Sequence, residues 1–401
     1  MKKLPDGWKF VKLSDIANIS AGGTPRRNVR EYWNDGVIPW LKISDLKNTY
    51  INYAEEKINQ KGLDDSSAKI FPKGTIVYSI FATLGAMGIL EISAATNQAI
   101  AGIIPNNSLI DTKYLYHCLR SEKNNILAKK SHATQDNINL TILRNHEFPL
   151  PPLPTQKKIA AVLEKAEKLR EWRKDADGLT DRFLKSMFLE IFGDPASNPK
   201  GWIVSNLEKE LSDDTQNGLY KPATNYGNGV PILRIDSFYD GQISNIEKLK
   251  RLKCTKEEIK KFKLQIGDIL INRVNSLEYL GKCGLVKFLI EDTVYESNMM
   301  RIRPKPEKLN PTFLATFLCT QYIKNQILGC AKKAVNQASI NQKDVNSFKI
   351  LVPPLPLQQK FASIAQQVEE VRAHQIRSRH HIENLFNVLM QRAFSGELEA
   401  K

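Results

Sequence analysis

The segment Pro151-Pro152-Leu153-Pro154-Thr155-Gln156-Lys157-Lys158 returns as Pro353-Pro354-Leu355-Pro356-Leu357-Gln358-Gln359-Lys360, with a constant offset of 202 residues from Pro154 to Pro356 and from Lys158 to Lys360. A chain that carries one proline brake and its following pattern twice is built from two halves. Past each brake the apolar positions match at the same offset. Ile159, Val162, Ala166, Leu169, Phe183 and Met187 answer Phe361, Ile364, Val368, Val371, Leu385 and Leu389. Their steps alternate between three and four residues, the seam of a coiled coil. Proline is excluded from helix interiors, so Pro154 and Pro356 mark two helix starts. Gly193, with Pro195 behind it, marks the end of the first helix. From Lys157 to Phe192 that gives a rod of roughly 50 Å at ~1.5 Å per residue. Arg173 and Gln375 occupy equivalent seam positions. Gly178, after Asp177, is a candidate for a kink or short break, because glycine costs ~1 kcal/mol in mid-helix.

Similar runs precede both brakes. Gly7-Trp8-Lys9-Phe10-Val11-Lys12-Leu13 and Gly201-Trp202-Ile203-Val204 are strand-like entries. The turn-rich Ala21-Gly22-Gly23-Thr24-Pro25-Arg26-Arg27 stands where the second half has Gln216-Asn217-Gly218-Leu219-Tyr220-Lys221-Pro222. Val37–Ile43 and Val230–Ile235 alternate as strands, and Gly74–Ser79 and Gly267–Asn272 are glycine turns feeding β-branched runs. Each half then enters a helix, through Leu115, Leu119 and Ile126 or through Leu314, Leu318 and Ile327, with Asn310-Pro311 as cap and first turn of the second. The reading is an α+β chain with an internal repeat. Mixed α/β domains occupy 1–150 and 196–350, and long helical regions occupy 151–195 and 351–401.

At 401 residues, with 42% hydrophobic and 25% charged residues, the chain can bury two or three cores. No apolar run is long enough to cross a membrane, and Met1-Lys2-Lys3-Leu4-Pro5 is too polar to open a signal peptide. Cys118, Cys254, Cys283, Cys319 and Cys330 lack C-x-x-C spacing and read as reduced, mostly buried thiols, which points to the cytoplasm. A net charge of +15 favours a polyanionic partner.

Catalytic motifs are missing from the sequence. There is no G-x-x-x-x-G-K-[ST] loop and no H-E-x-x-H, and Gly227-Asn228-Gly229 is a lone G-x-G. The Asn/Asp-Pro-Pro-aromatic tetrapeptide of amino-methyltransferases is also absent, since the Pro-Pro pairs follow Leu150 and Val352. His380-His381 point to different faces of a helix and make no metal site. Binding fits better. Lys129-Lys130 leads to Gln135, Ile138 and Asn139, and Lys332-Lys333 leads to Gln337, Ile340 and Asn341. Lysines neutralise phosphates, whereas Gln and Asn bond base edges or sugars. A feature shared by both halves cannot tell two sequences apart, so these residues suit phosphate contact or scaffold. Base readers belong where the halves differ: Arg26, Arg27, Arg30 and Lys42 in the first, and Tyr220, Lys221, Arg234, Arg273 and Asn275 in the second.

Several segments together resemble the DNA specificity subunit family of type I restriction–modification systems. They are Gly22-Gly23-Thr24-Pro25, Ile38-Pro39-Trp40-Leu41, Thr96-Asn97-Gln98-Ala99-Ile100, Gln135-Asp136-Asn137-Ile138-Asn139, both Pro-Pro-Leu-Pro-x-Gln runs, and Arg392-Ala393-Phe394-Ser395-Gly396-Glu397-Leu398. The resemblance spans essentially the whole chain. It implies two target recognition domains separated by an antiparallel pair of long helices around a pseudo-two-fold axis, and no catalytic centre. It also implies double-stranded DNA, adenine methyltransferase subunits and restriction subunits as partners, with S-adenosylmethionine, ATP and Mg on those partners and none in this chain. The second half departs from the first, with no Gly-Gly-Thr-Pro and with Asn298-Met299 in place of Asn97-Gln98. The alternatives are a specificity subunit of a related methylase–nuclease fusion, and a coiled-coil organiser that never touches bases.

Overall fold

The structure is a computed structural model that describes residues 4–129, 137–239, 241–243, 246–335 and 337–398. It divides into two compact units, Met1–Lys174 with Ile376–Lys401, and Asp175–Gln375. Each unit therefore holds one mixed α/β domain and parts of both long helices, a division that cuts across the order of segments along the chain.

In the first unit, a five-stranded sheet runs in the order Ala17–Ala21, Ile100–Pro105, Ile76–Ser79, Met87–Leu90, Tyr50–Ile51. A four-stranded sheet runs Glu56–Ile58, Ile38–Leu41, Ala94–Thr96, Ile70–Phe71, and Lys9–Lys12 pairs with Glu147–Leu150. The second unit repeats the plan. Ile269–Asn272 lies between Met299–Ile302 and Cys283–Leu285, Tyr226–Leu233 lies between Lys250–Leu252 and Val294–Tyr295, and Ile203–Asn206 pairs with Lys349–Val352. The β-branched runs after Gly74 and Gly267 are thus interior strands, buried at every position.

The long helices span Leu153–Phe192 and Leu355–Ser395. The first is continuous through Gly178, so the expected break is absent; a Cβ there would meet nothing within 4 Å, and the position is simply a solvated turn of helix. Both helices end on glycines with left-handed backbone, Gly193 at φ 81° and Gly396 at φ 77°. The last carbonyls of the first helix are capped by Trp202 Nε1, 2.8 Å from Phe192 O, and by Lys200 Nζ, 2.9 Å from Glu190 O.

The repeated glutamine explains the repeated proline segment. Gln156 Oε1 accepts from the Asp111 amide at 2.8 Å, and its Nε2 donates to Leu109 O at 3.1 Å and Pro151 O at 2.8 Å. Gln358 makes the same three bonds, to the Asn310 amide at 2.9 Å, Lys308 O at 2.9 Å and Pro353 O at 2.7 Å. Both side chains are buried. Each one fastens the start of a long helix to the cap of the domain helix, Thr112–Ser121 or Pro311–Leu318, by satisfying three main-chain groups.

The helices run antiparallel within each unit. In the first, Ile159, Leu163 and Ala166 share a core with Phe386, Met390 and Ala393, and Arg170 grips Glu383 through two bonds of 2.8 and 2.9 Å. In the second, Phe188 and Phe192 share a core with Phe361 and Ala365, Arg372 Nη2 lies 2.6 Å from Asp181 Oδ1, and Gln375 Nε2 donates to Thr180 Oγ1 at 2.7 Å. The seam is not the one expected. Ile159, Ala166, Phe361 and Val368 are buried, but Val162, Leu169, Phe183, Val371 and Leu385 are exposed. Leu163, Phe188, Ala365, Phe386 and Met390 take their place inside. The thiols also differ from expectation: Cys118 and Cys283 are buried, Cys254 and Cys330 intermediate, and Cys319 exposed.

Candidate nucleic-acid interface

In the first unit the Gly22–Thr24 loop is laid on the strand end at Thr96. The Gly22 amide donates to Ile100 O at 3.0 Å and the Gly23 amide to Thr96 O at 2.9 Å. A Cβ on Gly22 would come within 2.3 Å of Thr96 O, so no other residue fits that approach. Trp40 Nε1 donates to Gly23 O at 3.0 Å, and Thr24 Oγ1 bonds Gln98. Two of the expected base readers are engaged inside this cluster. The Arg27 guanidinium stacks 3.9 Å from the Trp33 ring centre and 4.6 Å from that of Trp40, and pairs with Glu56. Lys42 lies 2.9 Å from Glu55 and 2.7 Å from Glu56. Hydrogen bonds to Glu56 and Glu55 hold its ammonium well above the ordinary lysine value. Both cations are thus paired with carboxylates in this structure. Arg26 and Arg30 are exposed, and among the described residues their side chains make no hydrogen bond or ion pair.

The second unit lays its loop down by the same bonds. The Gly218 amide donates to Met299 O at 3.0 Å and the Leu219 amide to Tyr295 O at 2.8 Å, which leaves Tyr220 exposed in the place of Thr24. Lys221 is tied to Glu258 at 2.7 Å. Arg234 is tied to Glu296 at 3.3 Å, and the other Glu296 oxygen accepts from the Ile235 amide at 2.7 Å. This corrects the correspondence read from sequence. The Asn97 amide donates to Leu41 O and the Glu296 amide to Leu233 O, both at 3.0 Å. Glu296-Ser297, not Asn298-Met299, therefore stands in place of Asn97-Gln98.

A third element gathers candidates that lie far apart in the chain. Val274–Asn275 pairs with Ala338–Ser339, which pairs with Lys332–Lys333. This small sheet brings Arg273, Asn275, Lys332, Lys333 and Gln337 together. Lys332, Lys333 and Gln337 are exposed, and Val335 at the hairpin tip is 99% exposed. Arg273 Nη1 donates to Ser297 O at 3.1 Å, and its Nε is buried with no partner among the described residues. In the first unit, Phe81 bridges Asn137 at the corresponding place, while Lys130 and Gln135 lie outside the described residues. Lys129 Nζ lies 3.4 Å from His146 Nδ1. Asn139 and Asn341 are helix caps, accepting from the amides of Ile142 at 2.8 Å and Asp344 at 3.1 Å. Ile138 and Ile340 are buried beside them, and the two asparagines close their helices in the same way in both units.

Each domain thus exposes polar groups beside its sheets, Arg26 and Arg30 in the first and Tyr220, Lys332, Lys333 and Gln337 in the second, of the kinds that bond phosphates and base edges. Among the described residues no group of three or more His, Cys, Asp or Glu could hold a metal ion, and no helix is long and apolar enough to cross a membrane.

The family model "Type I restriction modification DNA specificity domain" matches residues 5–175 and again 204–384. The chain is 27% identical over 435 residues to the type I restriction enzyme EcoKI specificity subunit of Escherichia coli K12, covering 100% of this chain and 91% of that protein. It is 26% identical over 428 residues to the MjaIX specificity subunit of Methanocaldococcus jannaschii, covering 100% and 95%. Among solved structures, a chain from a study of complex assembly and conformational transition of the type I R-M system shares the fold with a TM-score of 0.62 and 20% identity, covering 99% of this chain and 100% of that one. The type I S subunit from M. genitalium does so with a TM-score of 0.57 and 14% identity, covering 98% of both.

Proposed function

The chain belongs to the type I restriction–modification DNA specificity family, and from that premise we propose how it works. It is the sequence-reading subunit of a DNA-methylating and DNA-cutting complex. Each domain reads one half of a bipartite double-stranded site, and the helices fix the spacing and dock adenine methyltransferase subunits. Restriction subunits join that assembly. The chain itself is non-catalytic; S-adenosylmethionine, ATP and Mg belong to its partners.

One observation carries this reading: what the two units share and what they change. They share the glutamine clamps, the loop bonds and the helix caps, and they differ in the exposed groups at the loops and the small sheet. Shared surface suits a partner present in two copies, and changed surface suits two different half-sites. The exposed apolar residues of the helices recur in this way. Leu169 and Leu385 are 40% and 47% exposed in the first unit, and their counterparts Val371 and Phe183 are 49% and 50% exposed in the second. Such repeated apolar patches on helices suit docking of a partner helix.

The test is methylome mapping of a strain in which residues 1–150 are exchanged for those of a relative. One half-site should change and the other persist. A change in both, or sequence-specific methylation by the isolated chain with S-adenosylmethionine, would overturn the reading.

A further inference from the structure

The loop between the central strand and its hairpin partner differs in length between the units. In the first, the Ser79 amide donates to Ala86 O at 2.7 Å and the Gly85 amide to Ser79 O at 2.9 Å. In the second, the Asn272 amide donates to Lys282 O and the Gly281 amide to Asn272 O, both at 2.9 Å. The same two bonds thus enclose residues 80–84 in one unit and 273–280 in the other, an insertion of three residues. The longer loop carries the Val274–Asn275 strand of the small sheet, next to the Lys332–Gln337 hairpin. It then turns through Ser276, whose carbonyl accepts from the amides of Tyr279 and Leu280 at 3.0 Å each. Ser276, Glu278 and Tyr279 are exposed.

One side chain braces this loop from below. Lys324, on the helix Gln321–Cys330, donates to Leu277 O at 3.0 Å, Glu278 O at 2.9 Å and Leu280 O at 3.1 Å. All three ammonium donors are used, each on a main-chain carbonyl of the loop. Burial lowers this ammonium below its ordinary value, and the three bonds replace its lost water. The corresponding lysine of the first unit, Lys123, runs its stem against the turn instead: a Cβ on Gly85 would lie 2.8 Å from Lys123 Cε. The lysine is thus common to both units, whereas the carbonyl nest exists only where the loop is longer.

We infer that the loop Asn275–Tyr279 reads base edges in the second half-site and that Lys324 is its positioning residue. The inference rests on the DNA-reading function proposed above. Asn275, Ser276, Glu278 and Tyr279 supply an amide, two hydroxyls and a carboxylate, the groups that discriminate adenine, guanine and cytosine edges. Lys324 spends its charge on carbonyls, so it contributes to base selection and not to phosphate affinity.

The test uses the full chain in complex with its methyltransferase. Methylation is measured on duplexes carrying single-base changes in either half-site and at several salt concentrations. Lys324→Met should cut discrimination at one or more positions of the second half-site by about tenfold, the range expected for a lost base contact. The first half-site and the slope of binding against salt should stay unchanged, and Lys324→Arg should restore much of the loss. Unchanged second-half discrimination in Lys324→Met, or an equal loss at both half-sites, overturns the inference. If Lys324→Met does not fold, Tyr279→Ala and Glu278→Ala, both on the exposed side, decide it: altered second-half preference in either supports the loop, and silence in both sinks it. Intact first-half reading in these variants separates failure of the loop from failure of the DNA-reading function, which would show as no sequence preference in the unsubstituted complex.

Discussion

The two places where a long helix meets its domain are fastened alike and packed differently. In the second unit the junction is aromatic: Phe188, Phe192, Phe313, Phe317 and Phe361 pack against one another, mostly tilted or edge to face, with ring centres 4.6 Å apart for Phe192 and Phe313 and 5.6 Å for Phe192 and Phe361. The corresponding residues of the first unit are Met390, Phe394, Tyr114, Cys118 and Ile159. One aromatic contact survives there, Tyr114 to Phe394 at 5.6 Å, and the Tyr114 hydroxyl needs a partner, Pro149 O at 2.8 Å. The glutamine clamp is identical in both. Apolar packing can be met by many side-chain sets of similar volume. Three main-chain groups converging on one point require an amide of one length, and that requirement does not drift.

The largest expected effect tests whether the packing difference is local. Phe361→Ala should cost the second unit about 4 kcal/mol and leave the first unit unchanged, as read by hydrogen exchange of each unit. Equal loss of protection in both would mean that the units do not open independently. The shared clamp comes next. Gln156→Leu and Gln358→Leu should each cost roughly 3 kcal/mol in their own unit, because each strands buried main-chain groups. A clearly smaller cost in one unit would break the equivalence of the clamps.

A third experiment sharpens the contrast through pH. His117 is 1% exposed, and its Nδ1 has no partner among the described residues. The second unit has Thr316 in that place, on the corresponding helix. Burial, aided by the nearby Arg120 and Lys113, lowers His117 from 6.5 to about 4. Between those values the unfolded chain binds a proton that the folded unit refuses. The first unit should therefore keep its full stability above pH 6.5 and lose about 2–3 kcal/mol as pH falls to 4. His117→Thr should flatten that slope; an unchanged acid slope, measured by urea unfolding across pH, would remove His117 as its cause.

Much of this was readable from sequence, and the misses have physical reasons. The offset of 202 located both helices, and the glycine turns located the interior strands. The seam was misplaced because each helix carries two apolar stripes with steps of three and four. Ile159, Leu163 and Ala166 face the core, while Val162 and Leu169 stand a quarter-turn away and exposed. Periodicity reports that a stripe exists and not which neighbour covers it. The correspondence of Asn97 is hidden because the second unit is longer at two places, by three residues before Gly281 and by three more between Gly284 and Glu296, and only the main-chain bonds reveal the resulting offset. The ion pairs of Arg27 and Lys42 are not legible in the sequence because Glu56, their shared partner, lies on a neighbouring strand of the sheet. A single sequence gives a charge but not its counter-ion.

The smallest expected effect concerns the paired charges of the helices. Arg170 with Glu383 and Arg372 with Asp181 are the same pair repeated at the offset of 202. All four side chains are partly exposed, so neither pair adds much stability. Double-mutant cycles should give a coupling of about 0.5–1 kcal/mol for the two-bond Arg170–Glu383 pair and less for the one-bond Arg372–Asp181 pair. A stronger coupling in the second pair would show that bond count does not set the order. The value of such weak pairs lies in orientation. If the helices were parallel in matched register, Arg170 would face Arg372 and Asp181 would face Glu383, like against like. The antiparallel arrangement sets each arginine against an acid in both units. Reversing one arginine, Arg170→Glu, should therefore cost more than neutralising it as Arg170→Gln, and adding Glu383→Arg should recover the difference. If reversal and neutralisation cost the same, the charges do not select the direction of the helices, and that choice rests on the glutamine clamps and the buried stripe alone.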